Sequence, residues 1–498
     1  MYDFIQIKII PTRDKIGGGV TSAKKLLKNF IKMFAGNVIG QLFFFLGLTY
    51  LARVLKPSGF GVWNFAQIWM LYLMRGSEFG LEVVGIQETS RNPARINTWV
   101  PTIISVRFVL AILLFGGVVI VSTADLLPVG TESLVLIFAF TTMPMAFILE
   151  WVFEGRQEVG LISIARILKG VLFCVGVFLM VSNIKDIERA AYIYIGSLIL
   201  PILIIFVLVI KRFGIDWSSI SFRNGLNALI KSTPIGIATL LSGYSLFVTP
   251  MMVGYFLSRE ELGFFTAAHR IVLFLWAYVT SSMQRILLPS LSRSYYEALP
   301  NFQRFVERFF RLSVLAAVPM GIIGLICATQ LMKFLYSAQY EASGVVFGIL
   351  LWGFVIANIR SILEIALIAA DRQQRFMKGM VILSISYSLL TPVLILLFGI
   401  VGAAVAVVSS EFCYFGYLIF TCPYSKPISF LKNLWKPLVA ALMAIVLLLL
   451  NPTSSLIIRM VLSTTVFGIV IIALKGVLVE DFEVIISLFK RTNLESST

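Results

Sequence analysis

Leu55-Lys56-Pro57-Ser58-Gly59-Phe60-Gly61-Val62-Trp63 opens one apolar stretch of this chain, and Leu257-Ser258-Arg259-Glu260-Glu261-Leu262-Gly263-Phe264-Phe265 opens another. Both stretches run on to a basic exit, Thr89-Ser90-Arg91 in the first and Leu291-Ser292-Arg293 in the second. Leu55 and Leu257, Gly61 and Gly263, and Arg91 and Arg293 share one offset of 202 residues. An internal repeat of this kind in a membrane chain is the layout of a secondary transporter, with its site between the repeated halves.

Composition places the chain in a membrane. Hydrophobic residues make up 59% of the 498 and charged residues 13%, about half the share of an ordinary soluble domain. A spanning helix needs about 20 apolar residues. Such runs fall at 33–52, 60–83, 100–122, 133–153, 161–182, 190–210, 234–257, 262–288, 312–335, 344–369, 379–399, 402–421, 434–450 and 456–474. The expected fold is therefore an all-α polytopic membrane protein of about fourteen transmembrane helices, in two pseudo-symmetric six-helix lobes plus two C-terminal helices. Its divisions are an interfacial N-terminal segment (1–32), an N-lobe (33–210), an amphipathic linker (211–233), a C-lobe (234–421), the last two spans (434–474) and an amphipathic tail (475–498). Six spans per unit make the lobes parallel, so a cavity between them can open to either side by rocking. Pro144, Pro201, Pro234, Pro250, Pro289, Pro319 and Pro392 lie inside spans as candidate bending points.

The net charge of +16 raises nucleic acid as a partner, but its distribution points to the membrane instead. With the N-terminus inside, the inner segments collect Lys24, Lys25, Lys28, Arg91, Arg95, Arg156, Arg166, Lys169, Lys211, Arg212, Arg223 and Lys231 in the first half, while the outer turns hold few cations, chiefly Arg53, Lys56, Lys185, Arg259 and Arg459. Both termini are expected on the cytoplasmic side. The first 28 residues lack an uninterrupted apolar stretch and a small-residue cleavage site, so no cleavable signal peptide is expected. Leu26, Leu27, Phe30 and Ile31, then Phe222, Leu226, Leu229 and Ile230, then Phe482, Ile485, Ile486 and Phe489 form apolar faces of helices expected to lie on the lipid surface. Cys174, Cys327, Cys413 and Cys422 are scattered without paired spacing and read as small buried thiols, and a single His269 cannot build a histidine metal cluster. No phosphate-binding glycine loop is present, so ATP hydrolysis is not expected and neither is an enzyme activity.

The chemistry must then lie in the charges inside the spans. An Arg at a helix centre costs about 2.5–3.5 kcal/mol even on the lenient insertion scale, so it is paired, snorkelling or facing a wet cavity. Arg75 lies in the second span with Glu78 and Glu82 after it, and Arg270 in the eighth, its repeat counterpart. Arg360 and Glu364 are four apart in the tenth, while Glu150 and Glu411 lack a partner on their own helices. Arg107 and Arg285 sit nearer the inner ends, where snorkelling accounts for them. The cations are candidates for holding a phosphate anion through a multi-donor fork. The alternative for each is an internal ion pair, Arg75 with Glu78 in particular. Glu78, Glu150, Glu364 and Glu411 are candidates for carrying a coupling proton or sodium ion, or else counter-ions to the arginines.

Tyr50-Leu51-Ala52-Arg53-Val54-Leu55-Lys56-Pro57-Ser58-Gly59-Phe60-Gly61 resembles the first-helix exit of the Wzx-type O-antigen flippases, polysaccharide exporters of the multidrug/oligosaccharidyl-lipid/polysaccharide (MOP) superfamily. Gly263-Phe264-Phe265-Thr266-Ala267-Ala268-His269-Arg270 and Leu288-Pro289-Ser290-Leu291-Ser292-Arg293 are similar to the matching eighth-helix region. The resemblance implies export of an undecaprenyl-diphosphate-linked oligosaccharide across the bacterial inner membrane, driven by an H+ or Na+ gradient without a bound cofactor. It implies cavity arginines on the diphosphate, with Arg75 and Arg270 foremost. It also implies membrane lipids, a polysaccharide polymerase and a chain-length regulator as candidate partners. A drug or cation antiporter of the same superfamily would want an acidic cavity, and a polymerase or glycosyltransferase would need an extramembrane catalytic loop that these short connections cannot hold.

Overall fold

The computed structural model describes residues 19–92, 95–156, 158–297, 299–422, 427–450 and 456–474. Among them there is no strand. The helices in chain order are α1 (Gly19–Glu78), α2 (Leu81–Arg91), α3 (Ile96–Thr123), α4 (Glu132–Phe140), α5 (Thr142–Met145), α6 (Glu150–Gly155), α7 (Val159–Met180) and α8 (Ile187–Phe213). The second half holds α9 (Phe222–Phe256), α10 (Arg259–Glu297), α11 (Leu299–Leu335), α12 (Ser343–Ala369), α13 (Gln373–Thr421), α14 (Pro427–Leu450) and α15 (Leu456–Ala473). Among the described residues, eight helical stretches are long and apolar enough to cross a membrane, and a ninth is counted if α11, bent by 55° between Ile322 and Gly324, is one span. The turn Gly321-Ile322-Ile323-Gly324 supplies the glycines that such a bend needs.

Two of these stretches are hairpins rather than rods. At Lys56 the backbone turns left-handed (φ 58°) just before Pro57. Gln41 and Leu71, each fifteen residues from Lys56, line one cavity, so the two arms of α1 lie side by side. In α13 the break is Gly399 (φ 58°). A straight helix of α13's 49 residues would span about 73 Å. Instead, Arg375 near its start donates to the carbonyl of Thr421 at its end, 2.7 Å away, and Tyr417 donates to the carbonyl of Arg375. The stretches expected as the second, eleventh and twelfth spans thus lie within longer helical runs, α1 and α13. Around Pro144 the opposite happens, and the expected fourth span is split into α4, α5 and α6. Pro234 and Pro250 both lie inside the unbroken α9.

The helix ends gather at two poles. At one, Arg53 donates to the carbonyls of Phe334 and Leu335, Tyr340 to that of Ala52, and Arg259 to that of Val129. At the other, Lys231 pairs with Glu88, Arg212 with Glu158, and Tyr296 donates to Asp371. The second pole is the one rich in Lys and Arg. One core lies within the first half, from Leu81 to Ala228, and another within the second, from Val248 to Ile471. A third core joins the halves toward the first pole, packing Leu55, Phe60 and Trp63 with Tyr336, Tyr340 and Phe354.

Side-chain placement refines several sequence expectations. Phe222, Leu226 and Ile230 are exposed on one face, but they form the start of α9 rather than a separate linker helix. The Leu26–Ile31 stretch is helical and continuous with α1, and its side chains, like the tail at 482–489, lie outside the described residues. Cys174, Cys327 and Cys422 are buried, whereas Cys413 is exposed on α13.

Candidate functional site

The repeat noted in the sequence is a physical contact. A Cβ placed on Gly61 would strike the backbone of Arg259 and Gly263, and one on Gly263 would strike the backbone of Pro57. The repeat-related glycines are therefore pressed together, which only the absence of side chains permits. Toward the basic pole a second glycine pair joins the halves, with Gly80 against Gly236 and Ile235. Between these two contacts α1, α7 and α8 enclose space.

That space is a cavity of about 540 Å³, bounded by both arms of α1, by α5 to α8, and by Arg270 of α10. Gly40 and Gly170 let α1 and α7 approach backbone to backbone, which turns the first turns of α7 toward the cavity. Arg166 and Lys169, one turn apart on α7, both line it. Arg166 is paired with carboxylates: it donates to Glu150 at 2.7 and 3.1 Å and to Asn37 Oδ1 at 2.8 Å, with Glu154 3.5 Å away. Lys169 sits over the rings of Phe44 and Tyr194, its Nζ 5.8 and 5.7 Å from their centroids. Arg270 donates from Nε to Asn64 Oδ1 at 2.8 Å and from Nη2 to Gln67 Oε1, and its guanidinium lies 6.0 Å from the Trp63 ring centroid. Asn64 donates in turn to the carbonyl of Phe60 at 2.8 Å, which holds its oxygen toward Arg270.

Two of the cavity's three cations, Lys169 and Arg270, therefore have no carboxylate partner among the described residues, and their neighbours are neutral oxygens and aromatic faces. Such groups orient a guanidinium without neutralising it, and in a low-dielectric site the remaining charge acts strongly on any anion that enters. A cavity of this size accepts a group of small-ligand dimensions. A whole lipid-linked oligosaccharide would need the cavity to open further.

The other predicted residues are elsewhere. Arg75 packs its side chain against Gly243 of α9, outside the cavity lining, and makes no hydrogen bond or ion pair among the described residues. Arg107 is 2% exposed, donates to the carbonyl of Ile148 at 3.0 Å and stands beside Glu78 and Glu82. Arg360, Glu364 and Glu411 form one buried cluster in the second half. Arg360 Nε lies 2.5 Å from Glu411, Nη1 contacts Glu364, Tyr387 donates to Glu411 at 3.1 Å, and the Tyr414 ring covers the guanidinium at 4.6 Å. Glu150 lines the cavity as the partner of Arg166. The side chain of Arg285 lies outside the described residues.

Sequence reading did not put Asn64, Gln67, Arg166 or Lys169 at the site. Asn64 and Gln67 carried a usable signal, two amides one turn apart in an apolar run. Arg166 and Lys169 lie within the run 161–182 but fit the basic inner-loop pattern equally well.

Residues 26–295, more than half of the chain, match the polysaccharide biosynthesis protein family. A probable low-salt glycan biosynthesis flippase of Haloferax volcanii is 22% identical over 384 residues, covering 76% of this chain and 80% of that protein. A putative O-antigen transporter of Escherichia coli is 23% identical over 258 residues, 50% of this chain and 61% of the relative. Among solved structures, the lipid II flippase MurJ in an inward closed conformation superposes with a TM-score of 0.72 at 14% identity, covering 89% of this chain and 98% of MurJ. The chain shares its fold with the lipid II flippase MurJ and belongs to the polysaccharide biosynthesis protein family.

Proposed function

We propose that this protein is a flippase that moves an undecaprenyl-diphosphate-linked oligosaccharide, an O-antigen or similar surface-polysaccharide repeat unit, across the bacterial inner membrane. The observation that carries the reading is the pair of cavity cations, Lys169 and Arg270, held by neutral partners only. A diphosphate brings about two negative charges, and moving them through hydrocarbon unaided costs at least several kcal/mol per charge. Two fixed cations in a partly enclosed site offset that cost, and the amides and aromatic rings around them suit a sugar. The named relatives, a glycan flippase and an O-antigen transporter, favour the same substrate class.

In this reading the chain crosses the membrane fourteen times, with lobes at 33–210 and 234–421 and the spans of 434–474 appended. The basic pole is cytoplasmic, as are both termini, and the halves rock about the two glycine contacts. An H+ or Na+ gradient drives the cycle. The Arg360–Glu364–Glu411 cluster is the candidate in the second half, because two carboxyls against one guanidinium leave a negative charge for a proton or sodium ion to balance. Arg360 is then an internal counter-ion, while Arg75 and Arg107 remain candidates for contact with the diphosphate along its path. A polymerase and a chain-length regulator would receive the product outside.

A drug or cation antiporter of the same superfamily is the competing reading. It is disfavoured by a cavity that presents Arg166, Lys169 and Arg270 against the single carboxylate of Glu150. Deletion of the gene tests the choice. Loss of surface glycan with intact lipid-linked units accumulating on the cytoplasmic side is expected; normal glycan with raised drug sensitivity would favour the antiporter.

A further inference from the structure

The fourth expected span is broken where it meets the cavity. Met145, Ile148, Leu149 and Glu150, at the break between α5 and α6, all line the cavity wall. In an unbroken helix the N–H groups of Leu149, Glu150 and Val152 would bond the carbonyls of Met145, Ala146 and Ile148. Here the Met145 carbonyl accepts from Ile148 at 3.1 Å and Val152 donates to the Leu149 carbonyl at 3.1 Å, each one residue short of the helical spacing. Arg107 of α3 takes the Ile148 carbonyl at 3.0 Å, so an inserted side chain holds the ladder open. The N–H groups of Leu149 and Glu150 and the carbonyl of Ala146 are left with no hydrogen-bond partner among the described residues. Within a span, main-chain groups in this condition belong beside a wet or occupied cavity, because hydrocarbon offers them no partner.

The side chains beside this break differ from those around Lys169 and Arg270. Asn37 and Gln41, one turn apart on α1, both line the cavity. Asn37 accepts from Arg166 through Oδ1, and its amide nitrogen has no partner among the described residues; Gln41 makes no hydrogen bond there at all. Glu150 meets Arg166 through Oε2, which leaves Oε1 as an acceptor. Charge is balanced at this end, since Arg166 lies 2.7 Å from Glu150 and 3.5 Å from Glu154. Lys169 and Arg270 have neutral partners instead. Asn37 precedes Phe44, whose ring faces Lys169, by seven residues or about 10 Å of helix. The cavity is thus divided. An anion is drawn to the Lys169–Arg270 end, while the Asn37 end offers mixed donors and acceptors with no excess of positive charge. Hydroxyl groups both donate and accept, so such a surface suits a neutral polyol.

We propose that Asn37, Gln41, Glu150 and the main chain freed at Ala146–Glu150 form a sugar subsite, which takes the hexose ring next to the diphosphate. The amides and the Leu149 and Glu150 N–H groups donate to ring hydroxyls, and Glu150 Oε1 and the Ala146 carbonyl accept from them. Arg107 is a positioning residue: it touches no sugar and keeps the break open through the Ile148 carbonyl. The subsite makes the flippase read the first sugar as well as the charge it is attached to. The inference rests on the reading of the chain as a flippase of diphosphate-linked glycans, and its test separates the two.

The test compares two soluble ligands of equal charge on the full chain in nanodiscs. One is a short prenyl diphosphate capped by a methyl group, the other the same diphosphate capped by a hexose, either glucose or its 2-acetamido analogue. The wild type should bind a hexose-capped compound about tenfold tighter than the methyl-capped one, as two neutral hydrogen bonds imply. That ratio should fall by about 2- to 10-fold in Gln41→Leu and in Asn37→Asp, which keeps the oxygen that Arg166 uses. Arg107→Met should lower the ratio too and Arg107→Lys, which keeps a donor for the Ile148 carbonyl, should recover part of it. A general loss of structure would weaken both ligands alike and leave the ratio where it was. Equal binding of the two ligands by the wild type, or an undiminished ratio in both α1 variants, would overturn the subsite and leave the flippase reading standing. A wild type that binds neither ligand would overturn the flippase reading, and the subsite with it.

Discussion

The Gly61–Gly263 contact makes a quantitative prediction. A methyl group on Gly263 would be driven into the carbonyl of Pro57, and one on Gly61 into the backbone of Arg259 and Gly263. These are main-chain atoms, so no side-chain rotation relieves the overlap. Forcing an extra methyl group into a packed contact costs about 1–3 kcal/mol. That cost falls only on the state in which the pole of this contact is closed, because the contact is absent once the halves separate there. Gly263→Ala should therefore shift the closed-to-open ratio at that pole by about 5- to 150-fold. An open state populated at about 0.1–10% would rise toward parity or beyond. Spin labels at Asp125 and Ala342, which lie in different halves at the same pole, report the change as growth of a longer distance. Gly61→Ala should do the same. Gly116→Ala is the control, since a Cβ there meets nothing within 4 Å. Unchanged distances in both gate variants, with wild-type export, would refute the reasoning.

Other outcomes follow from the remaining charges. Arg360→Met should lower stability by about 3–5 kcal/mol by leaving buried carboxyls without their counter-ion, read as a lower melting temperature in detergent; normal stability with lost export would instead assign Arg360 to substrate. If Arg75 only neutralises Glu78, the double change Arg75→Gln with Glu78→Gln should restore the function lost in Arg75→Gln; the absence of an Arg75–Glu78 pair predicts no rescue. Glu150→Gln should free Arg166 and raise the anion affinity of the cavity, measured as tighter binding of a soluble prenyl diphosphate, and unchanged affinity would show that Arg166 cannot reach the ligand. Reporter fusions at Lys231 and Arg375 should read cytoplasmic and those at Asp125 and Ala342 periplasmic, and the reverse at Lys231 would break the parallel-lobe arrangement.

Much of the architecture was legible because hydrocarbon imposes simple rules on sequence. The apolar runs fell on helices, and the 202-residue offset located the Gly61–Gly263 contact. Chain reversal inside a helical run was harder to read. Gly399 and Gly402 mark one such reversal, but Lys56 adopts a left-handed conformation that composition does not announce. The site was legible only in part. Arg270 was found because a charge in mid-span is costly and therefore conspicuous. Asn64 and Gln67 cost far less and left a fainter mark. Arg166 and Lys169 were hidden because loop cations and cavity cations have the same spelling, and only the approach of α7 to α1 at Gly40 and Gly170 separates them. Arg360 and Glu411 lie 51 residues apart, so their pairing is visible only once α12 and α13 are packed.

Lys169 and Arg270 are proposed to hold the diphosphate during translocation. The most direct measurement is transbilayer movement of a fluorescent polyprenyl-diphosphate-linked oligosaccharide in proteoliposomes, comparing the wild type with the double variant Lys169→Gln, Arg270→Gln at matched, monodisperse protein. Two charge-assisted contacts at about 1.5–3 kcal/mol each predict a loss of roughly a hundredfold or more. A double variant that flips the lipid at the wild-type rate would contradict the account.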